Sequence, residues 1–282
     1  IEYDTLIKKG VDVPNITIHP LAMLTTPFDT FANIQDSQNK LDGTCGMGVG
    51  KTMKRNEGPY KLYAIDLQFE DILRKKLQEI ADHYGFSWHY IDEYINDIQQ
   101  LKFDIKGYEY IKGYDDLIFE GSQGVMLDMD HGIFPNVTYA NTTSKNALEI
   151  INTLGIDNIK IYYITRSYQT RHGNGWMSSE NKLNLINNEE EINVEGPYQG
   201  EFRVGTLDYD LLAYAMKIDN IYSSHILDKT MVVTCMDQFE DFKFDEGKFN
   251  MPMIYSSSPE GFELTSAQAL LTENKPPLII NL

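Results

Sequence analysis

The chain has 282 residues and 42% hydrophobic content, enough apolar material for one large folded domain or two modest ones. Its formal net charge of -18 argues against a surface that coats nucleic acid, and no apolar run approaches the roughly 18 residues a membrane span needs. Cys45 and Cys235 stand alone, so neither a disulfide framework nor a zinc site is indicated; with no signal-peptide core at the N-terminus, a cytoplasmic location fits.

Taken in order, residues 3–9 read as the end of a helix stopped by Gly10, and residues 13–19 (VPNITIH) as a strand. Residues 21–26 suggest a second short strand, residues 28–40 are polar and ambiguous, and residues 41–51 (LDGTCGMGVGK) are rich in glycine. Residues 67–84 predict a helix with Leu73, Leu77, Ile80, Ala81 and Tyr84 on one face and Gly85 at its end. Residues 88–103 predict another, with Ile91, Tyr94, Ile95, Ile98 and Leu101 on one side, followed by a Tyr-rich connection.

Residues 117–119 read as a buried strand, after which the chain turns through Gly121-Ser122-Gln123-Gly124. Asp128, Asp130, His131, a turn at 132–136 and the polar run Asn141-Thr142-Thr143 follow. So many small, amide, hydroxyl and carboxylate groups after one strand fit a ligand site at its carboxyl end.

Residues 144–154 predict a helix capped by Thr143 and ended by Gly155. Residues 159–165 are a buried strand, 166–176 a polar loop, 181–200 a longer loop, 208–218 a helix and 230–235 a strand. Residues 240–258 are irregular, 264–271 helical, and 278–280 a last strand. Alternating strands and helices give an α/β fold: a mostly parallel central sheet with helices on both faces.

The segment GTCGMGVGKT invites a Walker A reading, but that pattern needs a glycine where Cys45 stands, and the preceding QDSQNK is polar rather than a buried strand. Other readings are a surface loop, or an anion loop built from backbone N–H groups and the Thr44 hydroxyl. His131 reads as a general acid or a structural hydrogen-bonding residue, Asp128 and Asp130 as metal ligands or turn-makers, and Gln123 as a ligand contact or a turn residue. Arg166 and Arg171 either hold phosphate or pair with surface carboxylates.

Five segments in order resemble the adenylosuccinate synthetase family. GTCGMGVG is similar to its GTTGxGIGP, and FEGSQGVMLDMDHGIFPNVTYANTT to its FEGAQGxLLDIDHGTYPxVTSSNTT. TRSYQTRHGNG, YQGEFRVGTLD and VVTCMDQF resemble its later segments, the loop form being closest to the shorter archaeal and phage versions. The resemblance implies a ligase that phosphorylates O6 of a 6-oxopurine nucleotide (IMP, or dGMP in a phage-type enzyme) and lets the amine of L-aspartate displace phosphate at C6. It implies Mg²⁺, GTP (or ATP or dATP) as phosphoryl donor, and a homodimer.

By position, Thr44 and Cys45 match two substrate-phosphate threonines, Gln123 the amide contacting the purine nucleotide, and Thr138 a phosphate-contacting threonine. Arg55 stands in for an arginine reaching a neighbouring subunit's substrate. Arg203 lies in the loop holding aspartate, with Glu201 where the family prefers a cation. Asp237 matches the carboxylate reading guanine, with Cys235 replacing a lysine. The resemblance further implies one domain over 1–282, no metal ligand within it, a catalytic Asp and His in a phosphate-loop segment preceding Ile1, and a further nucleotide-contacting loop beyond Leu282. A P-loop-type kinase or NTPase using Gly50 to Thr52, and a non-catalytic nucleotide-binding relative, are the alternative readings.

Overall fold

The computed structural model describes residues 2–12, 14–36, 44–186, 198, 200–239, 242–257 and 277–281. The chain divides into two compact units, residues 1–35 with 47–113, and residues 36–46 with 114–282.

The first unit contains α1 (Glu2–Lys8), β1 (Ile16–Ile18), α2 (Pro27–Gln35), α3 (Val49–Glu57), α4 (Glu70–Tyr84), α5 (Tyr90–Gln100) and β2 (Phe103–Ile105), which pairs parallel with β1. The stripes expected on α4 and α5 form the core through Leu73, Leu77, Ile80, Ala81, Ile91 and Ile95, buried with Phe28 and Leu62, whereas Leu101, also expected on the second stripe, lies just past the end of α5 and is 41% exposed. Gly85 adopts the left-handed conformation that ends α4.

The expected strand at 21–26 reduces to a single bridge between Met23 and Tyr63. The ambiguous stretch that follows is α2, and its cause is local. Thr26 Oγ1 accepts from Asp29 N at 3.3 Å while Asp29 Oδ2 accepts from Thr26 N at 2.8 Å, a reciprocal cap with Pro27 in the first turn.

The second unit contains β3 (Phe119–Gly124), α6 (Lys145–Leu154), β4 (Lys160–Arg166), β5 (Tyr168–His172), β6 (Phe202–Thr206), α7 (Tyr209–Ser223), β7 (Lys229–Thr234), β8 (Met253–Tyr255) and β9 (Pro277–Asn281). Five strands make one parallel sheet in the order β3-β9-β4-β7-β8. The α/β class with a parallel central sheet is therefore as expected. Ile161, Tyr163, Met231 and Val233 are buried on the sheet, and α6 and α7 supply Leu148, Ile151, Leu212 and Ala215 to the same clusters. Asp219 of α7 pins these layers. Its carboxylate accepts from Tyr163 Oη at 2.7 Å, Ser223 Oγ at 2.9 Å and Ser144 N at 2.6 Å.

Several expectations need correction. The strand expected at 117–119 is β3, which starts at Phe119 and runs through the residues read as a turn; Ile118 is 66% exposed. The reason is that β3 is an edge strand and keeps pairing with β9 through an irregularity. The polar loop expected after β4 is β5, because it finds an antiparallel partner in β6. Helix α6 begins one residue later than foreseen. Its cap position is Ser144, whose side chain makes no capping bond; Asp219 answers its backbone N–H instead. The helix expected at 264–271 and the residues at 187–197 of the second loop lie outside the described residues.

Candidate functional site

Parallel strands end on the same side of a sheet, so the segments after β3, β4 and β7 share one edge. Gln123 lies at the end of β3. Between Glu120 and Gly124 the partner β9 advances only from Ile279 to Asn281, so β3 carries a bulge there, and Gln123 within it has a φ of 60°. Among the described residues only one other non-glycine has positive φ, Cys235 at 58°, just past the end of β7. Left-handed backbone costs a side-chain-bearing residue about 1–2 kcal/mol and concentrates at functional sites. Both instances fall at the carboxyl edge.

The loop after β3 folds back on itself. Thr138 N donates to Leu127 O at 2.7 Å, Met129 N to Ala140 O at 3.1 Å, and Thr142 Oγ1 to Gly124 O at 3.1 Å. Half-buried Thr138 is thereby held beside the end of the bulged strand. Asp128 is the hub. Fully buried, it accepts from Asp130 N (2.8 Å) and His131 N (3.2 Å) on one oxygen, and from Thr142 N (2.6 Å) on the other. Burial alone would raise its pKa. The backbone N–H groups of Thr142, Asp130 and His131, with the Asn141 side chain, outweigh burial and hold it below the usual carboxylate value. Asp128 is thus a turn-maker. Gly132 closes the loop where no side chain fits: a Cβ there would stand 2.6 Å from Asp128 O and 2.7 Å from Met126 O. His131 Nε2 meets Tyr222 Oη at 2.7 Å, a structural partnership.

After β7, Asp237 is exposed in a short 3₁₀ turn, accepting from Gln238 Nε2 at 3.0 Å. The Cys235 carbonyl before it is fixed by Ser167 Oγ at 2.6 Å. Alongside lies a cavity of about 250 Å³ lined by Ser167, Tyr168, Leu183, Thr206, Phe239 and Phe242.

Arg203 lies on β6 rather than in a loop. Its guanidinium forms a two-pronged pair with Glu180 and donates to Gly173 O at 3.1 Å and Gly175 O at 2.8 Å. The pairing holds the Glu180 carboxyl below its ordinary value and raises Arg203. Arg171, directly opposite on β5, donates to Asn174 O and to Asn136 O in the loop before Thr138. Burial first and Arg203 second lower its pKa. Arg171 stood only as one of two undecided arginines in the sequence. The signal available there was its place in a Gly- and His-rich segment without acidic neighbours.

Thr44 and Cys45 precede Gly46, whose N–H donates to Thr44 Oγ1 at 3.4 Å. The Tyr198 ring lies against Gly46, 2.7 Å from where a Cβ would stand, so this turn meets the approach to β6. Arg55 is elsewhere, in the first unit, and is engaged internally. Its side chain is 0% exposed, with Nε donating to Asp29 at 2.8 Å and the remaining nitrogens to Asp29, Leu24 O and Tyr60 O. The Gly50-Lys51-Thr52 triplet lies within α3, and the buried Thr52 hydroxyl donates to Gly48 O at 3.1 Å. Among the described residues no group of three or more His, Cys, Asp or Glu side chains is arranged to hold a metal ion, and no helix is long and apolar enough to cross a membrane.

The adenylosuccinate synthetase family model matches residues 1–244. The adenylosuccinate synthetase of Mycoplasma mycoides is 32% identical over 247 residues, covering 78% of this chain and 56% of that protein. That of Thermodesulfovibrio yellowstonii is 29% identical over 243 residues, covering 77% and 56%. The chain spans about half the length of the curated relatives it matches. Fully ligated adenylosuccinate synthetase from Plasmodium falciparum shares the fold, with a TM-score of 0.60 at 19% identity over 79% of this chain and 56% of that one. So does the succinoaminodeoxyadenylate synthetase of cyanophage S-2L, solved with dGMP and dATP, with a TM-score of 0.52 at 14% identity over 85% and 64%. On the match to the family model, over the greater part of its length, this chain belongs to the adenylosuccinate synthetase family.

Proposed function

We propose that this chain is the substrate-gripping part of a purine-nucleotide ligase, which joins L-aspartate to C6 of a 6-oxopurine nucleotide through a 6-phosphoryl intermediate. One observation supports the reading beyond family membership: Gln123, Thr138 and Asp237 lie at or beyond the carboxyl ends of strands in one parallel sheet, two of those ends with left-handed backbone. In this reading the Gln123 amide meets the purine, and Thr138 with Thr44 and Cys45 meets the monophosphate. Arg203 serves the aspartate side, and the exposed Asp237 carboxylate accepts the two N–H bonds that guanine offers and adenine does not. Oxygen at C6 leaves poorly until phosphorylated, so the triphosphate supplies the leaving group, and cationic donors stabilise the transferring phosphoryl.

The proposed substrate is IMP, or dGMP in a phage-type enzyme, and the donor GTP, ATP or dATP, accompanied by Mg²⁺. The enzyme works as a cytoplasmic homodimer in this account. The test is succinyl-amino-purine formation, followed by ultraviolet absorbance, in the full-length protein with L-aspartate, triphosphate and either IMP or dGMP. Absence of product with every 6-oxopurine nucleotide would overturn the ligase. Lys51→Ala tests the alternative: a P-loop-type NTPase loses hydrolysis, whereas the ligase changes modestly.

A further inference from the structure

The sequence contains five arginines. Arg55 and Arg74, in the first unit, both pair with carboxylates. The other three, Arg166, Arg171 and Arg203, fall between the end of β4 and β6. Among the described residues only Arg203 of these three has a carboxylate partner, Glu180. Arg171 stands opposite Arg203 in the hairpin register and is half-buried, yet among the described residues it donates to two carbonyl oxygens, Asn174 O at 3.0 Å and Asn136 O at 3.2 Å. In a chain of net charge -18, carboxylates are abundant, and a half-buried guanidinium beside a like charge would be expected to recruit one. Two of its N–H donors are used here, and a guanidinium has more to give, in a fork suited to oxyanions.

Arg203 holds the carbonyls of Gly173 and Gly175, and Arg171 holds that of Asn174 between them, so both guanidiniums converge on one turn. Arg171 reaches from that turn to Asn136, two residues before Thr138. We infer that Arg171 is the open guanidinium of an oxyanion subsite, shared with Arg203 across the β5–β6 hairpin, that takes a carboxylate or phosphoryl group. This deepens the ligase reading and rests on it for the origin of the anion: an amino-acid carboxylate or a nucleotide phosphate.

The experiment is thermal unfolding of the full-length protein with L-aspartate or inorganic phosphate, at matched ionic strength, for wild type, Arg171→Met and Arg171→Lys. General salting effects are common to all three proteins, so the readout is the difference between them. At least one of the two anions should raise the wild-type midpoint, with its apparent affinity about tenfold or more weaker in Arg171→Met. Arg171→Lys should recover part of the effect, keeping the charge without the fork. The responding anion identifies the source. A midpoint shift equal in wild type and Arg171→Met overturns the inference, as does no wild-type shift with either anion. A lower anion-free midpoint with the shift intact would make Arg171 a fastener of the turn only, which also overturns it. IMP binding measured in parallel separates the two readings: retained IMP binding without an anion effect removes this subsite alone, whereas no IMP binding in wild type removes the ligase reading.

Discussion

Gln123 occupies a backbone conformation that a glycine adopts without cost, at a φ of 60° inside the bulge of β3. Relieving the strain gains about 1–2 kcal/mol, and the extra unfolded-state freedom of glycine removes about 0.5–1 kcal/mol of that. Gln123→Gly should therefore leave the unfolding midpoint nearly unchanged or slightly raised. It should also weaken binding of IMP or dGMP about tenfold or more by calorimetric titration, because the amide is lost. Clear destabilisation with unchanged nucleotide affinity would make Gln123 a folding residue instead. Arg55 behaves in the opposite way. Its charge is sealed against Asp29, which also accepts from Thr26 and Tyr84. Arg55→Met strands that carboxylate and should cost about 3–5 kcal/mol in chemical denaturation. A small stability change with a large loss of nucleotide affinity would restore the ligand role that its sequence position suggested.

At the scale of elements, the loop after β3 depends on one ionised group. The Asp128 pKa lies below its unfolded value of about 3.9, so its stabilisation is complete above that pH and fades as pH falls through the lower folded value. Asp128→Asn, able to accept on one oxygen only, should lose about 2–3 kcal/mol near neutral pH. The gap to wild type should narrow on acidification below about pH 4; calorimetry from pH 3 to 7 reads it, and a gap constant over that range would contradict the account. That loop's chemistry was legible in its residue types, because turns built on Asp and Gly follow from local hydrogen bonding. Helices α4 to α7 were legible too, from 3.6-residue stripes and from Gly85 and Gly155 at two of their ends. Helix α2 was missed although Thr26-Pro27-Phe28-Asp29 spells its cap, because its polar surface hid the apolar face. Strand β5 was missed because its residues are polar and its partner lies some 30 positions away, at Phe202–Thr206. The place of β9 between β3 and β4 is a long-range pairing that no local pattern announces.

Across the whole molecule, the acidic surface and the scarcity of arginine direct attention to the few places where positive charge is kept. In the second unit all the arginines lie between β4 and β6, at and beyond the sheet's carboxyl edge. The same edge carries both strained backbone positions. The family motif named Gln123, Thr138, Arg203 and Asp237 from sequence; it did not reveal that Arg55 is consumed by Asp29, because an ion pair between positions 26 residues apart leaves no local trace. The most direct test is a crystal structure of the full-length protein with IMP or dGMP bound. The account predicts the purine within hydrogen-bonding distance of the Gln123 amide and the phosphate against the Thr138 hydroxyl. A nucleotide bound at neither residue would contradict it.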